Sequence, residues 1–384
     1  MAAERSADVA HVGHIPASRP SLGVAEERAV ARVLASGRLA GNGPEVEAFE
    51  RQCAEWLGVE ETVAVSSGTA ALFLALSQYV RPGDRVVTSP LTFYATVEAI
   101  LALGGTPVFA DVNERGQMHP ASAIELMRTT SKLAAVCPVH MYGDMVSVLP
   151  FADMAMKMGI GVVEDACQAH GAMDCGAYAG TLGDYGCLSF YATKHITTLG
   201  EGGLVICNKP DQAARIIAMR SHGMTDYHTH LMSGWNWRMP EAAAAVGRAQ
   251  LARFPAIQER RRRQSNLIWD QIDDLPWLTT MRPDEGISHG FFWLPVLLSE
   301  AVDRYAFAVH VQRHGVEIRH RYSEPVYHQP ALVRAMGQGY AEEQQRRCPT
   351  AEALAPRIVG LPTCSQMTND EAGRIVEAVR TFTP

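Results

Sequence analysis

Short runs of β-branched and apolar residues alternate with longer stretches of helical period from about Pro44 to Cys207. The runs TVAVSS, DRVVTS, TPVFAD, LAAVCPV, IGVVED, GCLSF and GGLVIC are almost continuously apolar at their centres, the pattern of strands covered on both faces. Between them, GTAALFLALSQYV, TFYATVEAILALG and PFADMAMKMG place apolar residues at helical spacing, and each closes near a Gly or a Pro-Gly pair. This alternation predicts an α/β fold with a mostly parallel sheet and helices on both faces. Beyond it, EAAAAVGRAQL opens a long helical stretch from about Glu241 to Leu275. Strand-like FFWLPVLL, a helix around Val302 to Arg313, strand-like VEIRHRY and a last helix near Asp370 to Thr381 predict a smaller α+β domain. A chain of 384 residues is too long for one minimal domain. The expected division is an N-terminal arm over 1–20, a large α/β domain over 21–250 and a small C-terminal α+β domain over 251–384.

Composition narrows the partners. Hydrophobic residues at 47% and charged ones at 20% suit a globular chain, and a formal net charge of -7 gives no general attraction to nucleic acid or anionic lipid. Small-molecule ligands are expected. The one basic run, Arg260 to Arg263, reads as a solvated helix face. The eight cysteines (53, 137, 167, 175, 187, 207, 348 and 364) form no Cys-x-x-Cys pair, and several lie in apolar runs, so they read as small buried hydrophobes of a reducing compartment. MAAERSADVAHVGH lacks the apolar block of a signal peptide, and no apolar run is long enough to cross a membrane. The expected location is the cytoplasm.

In open α/β sheets ligands gather at the carboxyl ends of strands, which directs attention to the residues just after each run. After TVAVSS, Gly68-Thr69 opens a helix and would aim backbone amides and a hydroxyl at an anion. The same pair is also an ordinary strand-to-helix turn. After IGVVED, Asp165 ends an apolar strand, where a lone carboxylate is costly and calls for a cationic partner, unless it caps the next helix. After GCLSF come Lys194, with Ser189 five positions before it, and GEGG. A lysine in a desolvated site can form an imine. His310 and His314 are four apart on a helical pattern but lack a third ligand, so no metal site is expected, and His228 and His230 sit in a polar loop that reads as surface rather than as a border of the substrate. A nicotinamide dehydrogenase would show G-x-G-x-x-G after its first strand, and SSGTAAL lacks that spacing.

The chain resembles the DegT/DnrJ/EryC1/StrS sugar aminotransferases, members of fold type I of the pyridoxal-5′-phosphate (PLP) enzymes. The resemblance runs from IPASRPSLG through LASGRLAGNGPEVEAFE, AVSSGTAAL, PLTFYAT, PVHMYGD, VEDACQAHGA, GTLGDYGCLSFYATKHITTLGEGG and SGWNWRMPEAAAAVGRAQL to APRIVGLPTCSQMTNDEA. It implies that Lys194 holds PLP as an imine and that Asp165 binds the pyridinium nitrogen. It implies further that Gly68, Thr69 and Ser189 hold the phosphate, Phe93 stacks on the ring and Gln168 reaches the phenolic oxygen. Asn236 matches a residue that reaches the phosphate of the neighbouring subunit, which makes a homodimer with shared sites part of the expectation. The implied reaction moves an amino group from an amino acid, expected to be glutamate, to a keto-sugar, with pyridoxamine 5′-phosphate between the halves.

Two departures stand out: HITTL before GEGG, where Leu199 lengthens the loop, and Trp235 and Trp237 where relatives more often have tyrosine. A dehydratase branch of the family carries histidine in place of the lysine. Here the aligned residue is Lys194 and His195 only follows it, so transamination is expected rather than dehydration. A non-catalytic PLP-binding regulator is the remaining outside reading, and no DNA-binding module or basic face supports it. The substrate pocket is expected around Leu39 to Gly43, Trp235, Trp237, His320 and Tyr322. Arg238, Arg319 and Arg321 favour a nucleotide-linked keto-sugar over a keto-cyclitol, because a diphosphate needs basic partners; surface solvation or binding of the donor carboxylate is the other reading of the three.

Overall fold

The computed structural model describes residues 13–226 and 228–384; the first twelve residues of the expected N-terminal arm lie outside it. Each of the seven apolar runs forms a strand. They are β1 (Glu61–Val65), β2 (Arg85–Thr88), β3 (Thr106–Phe109), β4 (Leu133–Cys137), β5 (Gly161–Asp165) and, after two short strands β6 (Met173–Asp174) and β7 (Ala177–Tyr178), β8 (Tyr185–Ser189) and β9 (Gly203–Cys207). The seven lie in one sheet of order β1-β9-β8-β5-β4-β2-β3. The pairings from β8 to β3 are all parallel, and β9 runs antiparallel to both β8 and β1. Side chains alternate between the two faces. Val63, Val86 and Val163 pack with Leu74 of α3 (Gly68–Leu76) and Ile100 of α4 (Tyr94–Ala102), while Val87 and Val162 pack on the other face with Phe151.

The helical stretch expected over Glu241 to Leu275 is two helices, Glu241–Ala252 and Phe254–Ile272, broken at Arg253. Pro255 explains the break, since it offers no N–H and its ring crowds the carbonyl four residues earlier. The second helix links two cores. Phe254 packs beneath the large sheet, whereas Ile268, Trp269 and Ile272 join a separate cluster with Val296, Phe307, Val359 and Ile375. That cluster covers a three-stranded antiparallel sheet of Leu278–Thr280, Leu294–Leu298 and Ile358–Leu361, flanked by helices Arg304–Arg313 and Asn369–Arg380.

Several local readings change. VEIRHRY forms isolated bridges only, Val316 to Ile15 and Arg319 to Gly360, and three helices between Pro330 and Leu354 are not expected from the sequence pattern. Within the basic run, Arg261 is not solvated: it is 3% exposed and donates to the carbonyls of Phe291 and Thr363. Cys175 is exposed, unlike the other cysteines. Among the described residues no cluster fit for a metal is found, and no helix is long and apolar enough to cross a membrane.

Candidate active site

A cleft of about 360 Å³ opens where β1, β5 and β8 end. On β1 the chain turns at Ser67, whose Oγ accepts from the Ala70 amide at 3.1 Å and caps α3. Gly68 begins the helix against Ser189 at the end of β8. A Cβ on Gly68 would stand 2.8 Å from the Ser189 Cβ, so glycine alone lets the helix terminus and that hydroxyl share one seat. No acidic side chain occupies the first turn of α3. Free amide dipoles, the Thr69 hydroxyl and the Ser189 hydroxyl therefore face the cleft together, as an anion requires.

Asp165 closes β5 and is 5% exposed. Its Oδ2 accepts from the Thr96 hydroxyl at 2.7 Å and its Oδ1 from the Cys167 amide at 3.1 Å. Thr96 itself is paired with Thr92 at 2.7 Å. Among the described residues no basic side chain lies within ion-pair distance of this carboxylate, although it faces the cleft. No described side chain supplies at ion-pair distance the cation that the sequence called for.

Lys194 follows β8 in a turn closed by its own amide on the Tyr191 carbonyl. Its Nζ sits 4.3 Å from the centre of the Phe292 ring. Burial pulls the amine down to about 8, against the opposing pull of Cys167 and Asp165, with Arg319 pressing the same way as burial. His195 points away from the cleft, buried, and its Nε2 donates to the Gly290 carbonyl at 2.7 Å. Desolvation holds it well below the ordinary imidazole range, so it stays neutral. The loop departure at Leu199 resolves as a left-handed residue, φ 62°, followed by Gly200 at φ 106°.

Phe93 precedes α4 and lines the cleft with its ring 54% exposed. Gln168 lines it too, donating from Nε2 to the Tyr322 hydroxyl at 2.9 Å while its Oε1 accepts from the Tyr142 amide. Arg319, Arg321 and Tyr322 close the cleft from the opposite side. His320, expected there, faces elsewhere and lines a separate hollow with Tyr305 and Pro356. In an extended stretch alternate residues point to opposite sides, which takes His320 out with Arg319 and Arg321 in. Asn236, Trp235, Trp237 and Arg238 do not line this chain's cleft. The two tryptophans stack on each other at 4.9 Å and both meet Phe73 of α3 edge-on, and Asn236 is exposed. Leu39 to Gly43 pack beside Met239 and Glu241, also outside it. Sequence reasoning missed Phe292 and Trp293, which form the far wall. The only signal was a Gly before three consecutive aromatic residues.

Residues 20–380 match the model of the DegT/DnrJ/EryC1/StrS aminotransferase family. The chain belongs to that family. The aminotransferase is 32% identical over 339 residues to UDP-N-acetyl-3-dehydro-α-D-glucosamine 3-aminotransferase of Acidithiobacillus ferrooxidans, covering 88% of each chain. It is 31% identical to GDP-perosamine synthase of Escherichia coli O157:H7, over 96% of this chain and 98% of the other. Its fold matches that of Streptomyces venezuelae DesV in complex with a ketimine intermediate with a TM-score of 0.85, at 30% identity over 92% of this chain and 93% of that one. It is a PLP-dependent sugar aminotransferase of the fold type I architecture, as the resemblance implied.

Proposed function

We propose that this aminotransferase takes an amino group from glutamate and places it on a keto-sugar carried by a nucleotide. The observation that carries the substrate class is the pair Arg319 and Arg321: both line the cleft, and among the described residues neither has an acidic side chain within ion-pair distance. The half-buried Arg319 guanidinium is costly to leave unpaired, and the exposed Arg321 is free to meet an anion at the mouth. The named relatives act on UDP- and GDP-linked sugars, which carry such an anion.

The residues present fit PLP. The α3 terminus with Gly68, Thr69 and Ser189 suits its phosphate, and Asp165, hydrogen-bonded but without an ion-pair partner among the described residues, suits a protonated ring nitrogen. Phe93 offers an exposed face and Gln168 an amide at the cleft. When bound, the cofactor supplies an electron sink for the carbon that carries the amino group. The protein does the rest. Asp165, held by Thr96, keeps the ring proton in place, and Lys194 Nζ, with its lowered affinity for protons, attaches the cofactor at neutral pH. The same amine, when free, would take the proton from the donor's Cα. Asn236 lies outside its own cleft, and in our reading it serves the phosphate of a second copy, so the working unit is a homodimer.

The test is to charge the protein with glutamate, remove the donor, and offer UDP-, GDP- and dTDP-linked keto-sugars beside inososes while watching the aldehyde absorbance return. A return with inososes alone would overturn the nucleotide-sugar reading. It would leave the transaminase chemistry standing.

A further inference from the structure

Arg319 and Arg321 are separated by one residue but occupy different surroundings. Arg319 is half-buried, and its backbone is fixed to Gly360 by a pair of hydrogen bonds of 2.8 and 2.7 Å. Its guanidinium lies 5.8 Å from the centre of the Phe292 ring and 5.5 Å from that of Trp293. Lys194 Nζ sits over the same Phe292 ring at 4.3 Å. Two basic groups, one of them the reacting nitrogen, thus lie over one aromatic ring. Arg321 is exposed, and it lines both the cleft and an adjoining hollow of about 200 Å³ shared with Tyr94, Ser323 and Gln329.

The acids nearby do not neutralise them. Glu317 accepts from the Ala17 amide, Glu324 from Gln329, and Asp165 from Thr96 and Cys167. Glu201 lines the cleft without forming an ion pair with either arginine.

The two substrates of the proposed reaction carry anions at different distances from the reacting carbon. In an α-amino acid the carboxylate is bonded directly to that carbon. In a nucleotide-linked keto-sugar the diphosphate hangs from the anomeric carbon, across the ring from the ketone or one carbon removed from it. A site that takes them in turn needs one cation beside the lysine and another at the mouth. We propose that Arg319 holds the α-carboxylate of the amino donor and Arg321 the diphosphate of the acceptor, so that each half-reaction depends on its own arginine. This rests on the nucleotide-sugar reading above. Arg319, held beside Phe292 and Trp293, has the fork of donors for a two-pronged contact with a carboxylate, and the exposed Arg321 has the freedom that substrates of different sugar shape require.

The two half-reactions can be followed separately by absorbance, with Arg319→Gln, Arg319→Lys and Arg321→Gln beside the wild type. Binding of maleate, UDP, GDP and dTDP to the cofactor-free proteins is measured by calorimetry. Arg319→Gln weakens glutamate and maleate about 10- to 100-fold, the loss of a charge-assisted contact, and at least ten times more than it weakens any nucleotide. Arg319→Lys recovers part of that loss. Arg321→Gln shows the reverse split, against the nucleotides and the nucleotide-linked acceptor. Equal effects of both changes on donor and acceptor, or the opposite split, overturn the assignment while the substrate reading stands. A wild type that responds to no nucleotide-linked keto-sugar overturns that reading and the role of Arg321 with it.

Discussion

Thr96, one turn into α4, donates its hydroxyl to the Asp165 carboxylate at 2.7 Å, across from the strand that carries the acid. The bond fixes the orientation of the carboxylate. Asp165→Asn should keep the fold and the cofactor but lose at least about 100-fold in turnover, because an amide cannot hold a ring proton. Thr96→Val should cost less, about tenfold, the worth of one hydrogen bond to a charged group. Steady-state rates with cofactor occupancy measured in parallel decide it. Near-normal turnover of Asp165→Asn would refute the role.

The amine of Lys194 falls from 10.5 in the unfolded chain to about 8 in the fold. In the cofactor-free protein, acylation of this lysine by acetic anhydride should rise with a midpoint near pH 8, well ahead of the surface lysines. The sign for stability follows. Below pH 8 the amine is protonated in both states and the folded chain bears the desolvation cost. Between 8 and 10.5 the unfolded chain binds more protons, so stability rises with pH. Lys194→Met should therefore stabilise the cofactor-free protein most at and below neutral pH, with the advantage fading as pH climbs through that window. Urea melts at several pH values test this, and a constant advantage contradicts it.

Gly68→Ala places a methyl group against Ser189 in a seat with no space for it. The overpacking should cost about 1–3 kcal/mol, spent on parting α3 from β8. The expected result is a protein that folds but sheds PLP on dialysis at least tenfold faster than the wild type. Unchanged retention would remove the α3 terminus from the phosphate site.

Sharing of sites between two copies predicts complementation. Lys194→Ala and Asn236→Ala, each impaired alone, should give hybrid dimers with one intact site, about a quarter of wild-type activity after random exchange of equal amounts. Asn236→Ala can retain some activity, so the gain is measured against the sum of the separate proteins. A mixture no better than that sum, or a protein monomeric at assay concentration, defeats the idea.

Much of the large sheet could be read directly from the chain because its strands are buried on both faces, and continuous apolar runs such as GVVED and GCLSF have few alternatives. The end-of-strand rule then led to Gly68, Asp165 and Ser189, and to Lys194 just beyond. Arg319 and His320 were harder. Which of them faces the cleft depends on the bridge to Gly360, some forty residues on, and nothing local encodes that pairing. Phe292 escaped notice for a related reason: its position follows from Phe291 at φ 58° and from Gly143 lying close against the Gly290 turn, contacts between distant segments. The polar helices before Leu354 offered too few apolar positions for a periodic signal.

The sheet order also governs when the site can come into being. β1 meets the rest of the sheet only through β9, with Ala64 opposite Leu204. A nascent chain can assemble β2 to β8 by near-neighbour steps and lay α3 against α4 and β8, yet β1 has no strand to pair with until the segment after Lys194 has been synthesised and inserted beside β8. That long-range closure is slow compared with the local ones. N-terminal fragments ending before Gly203 would thus carry Asp165 and Lys194 with the turn into α3 anchored by the helix alone and not by β1.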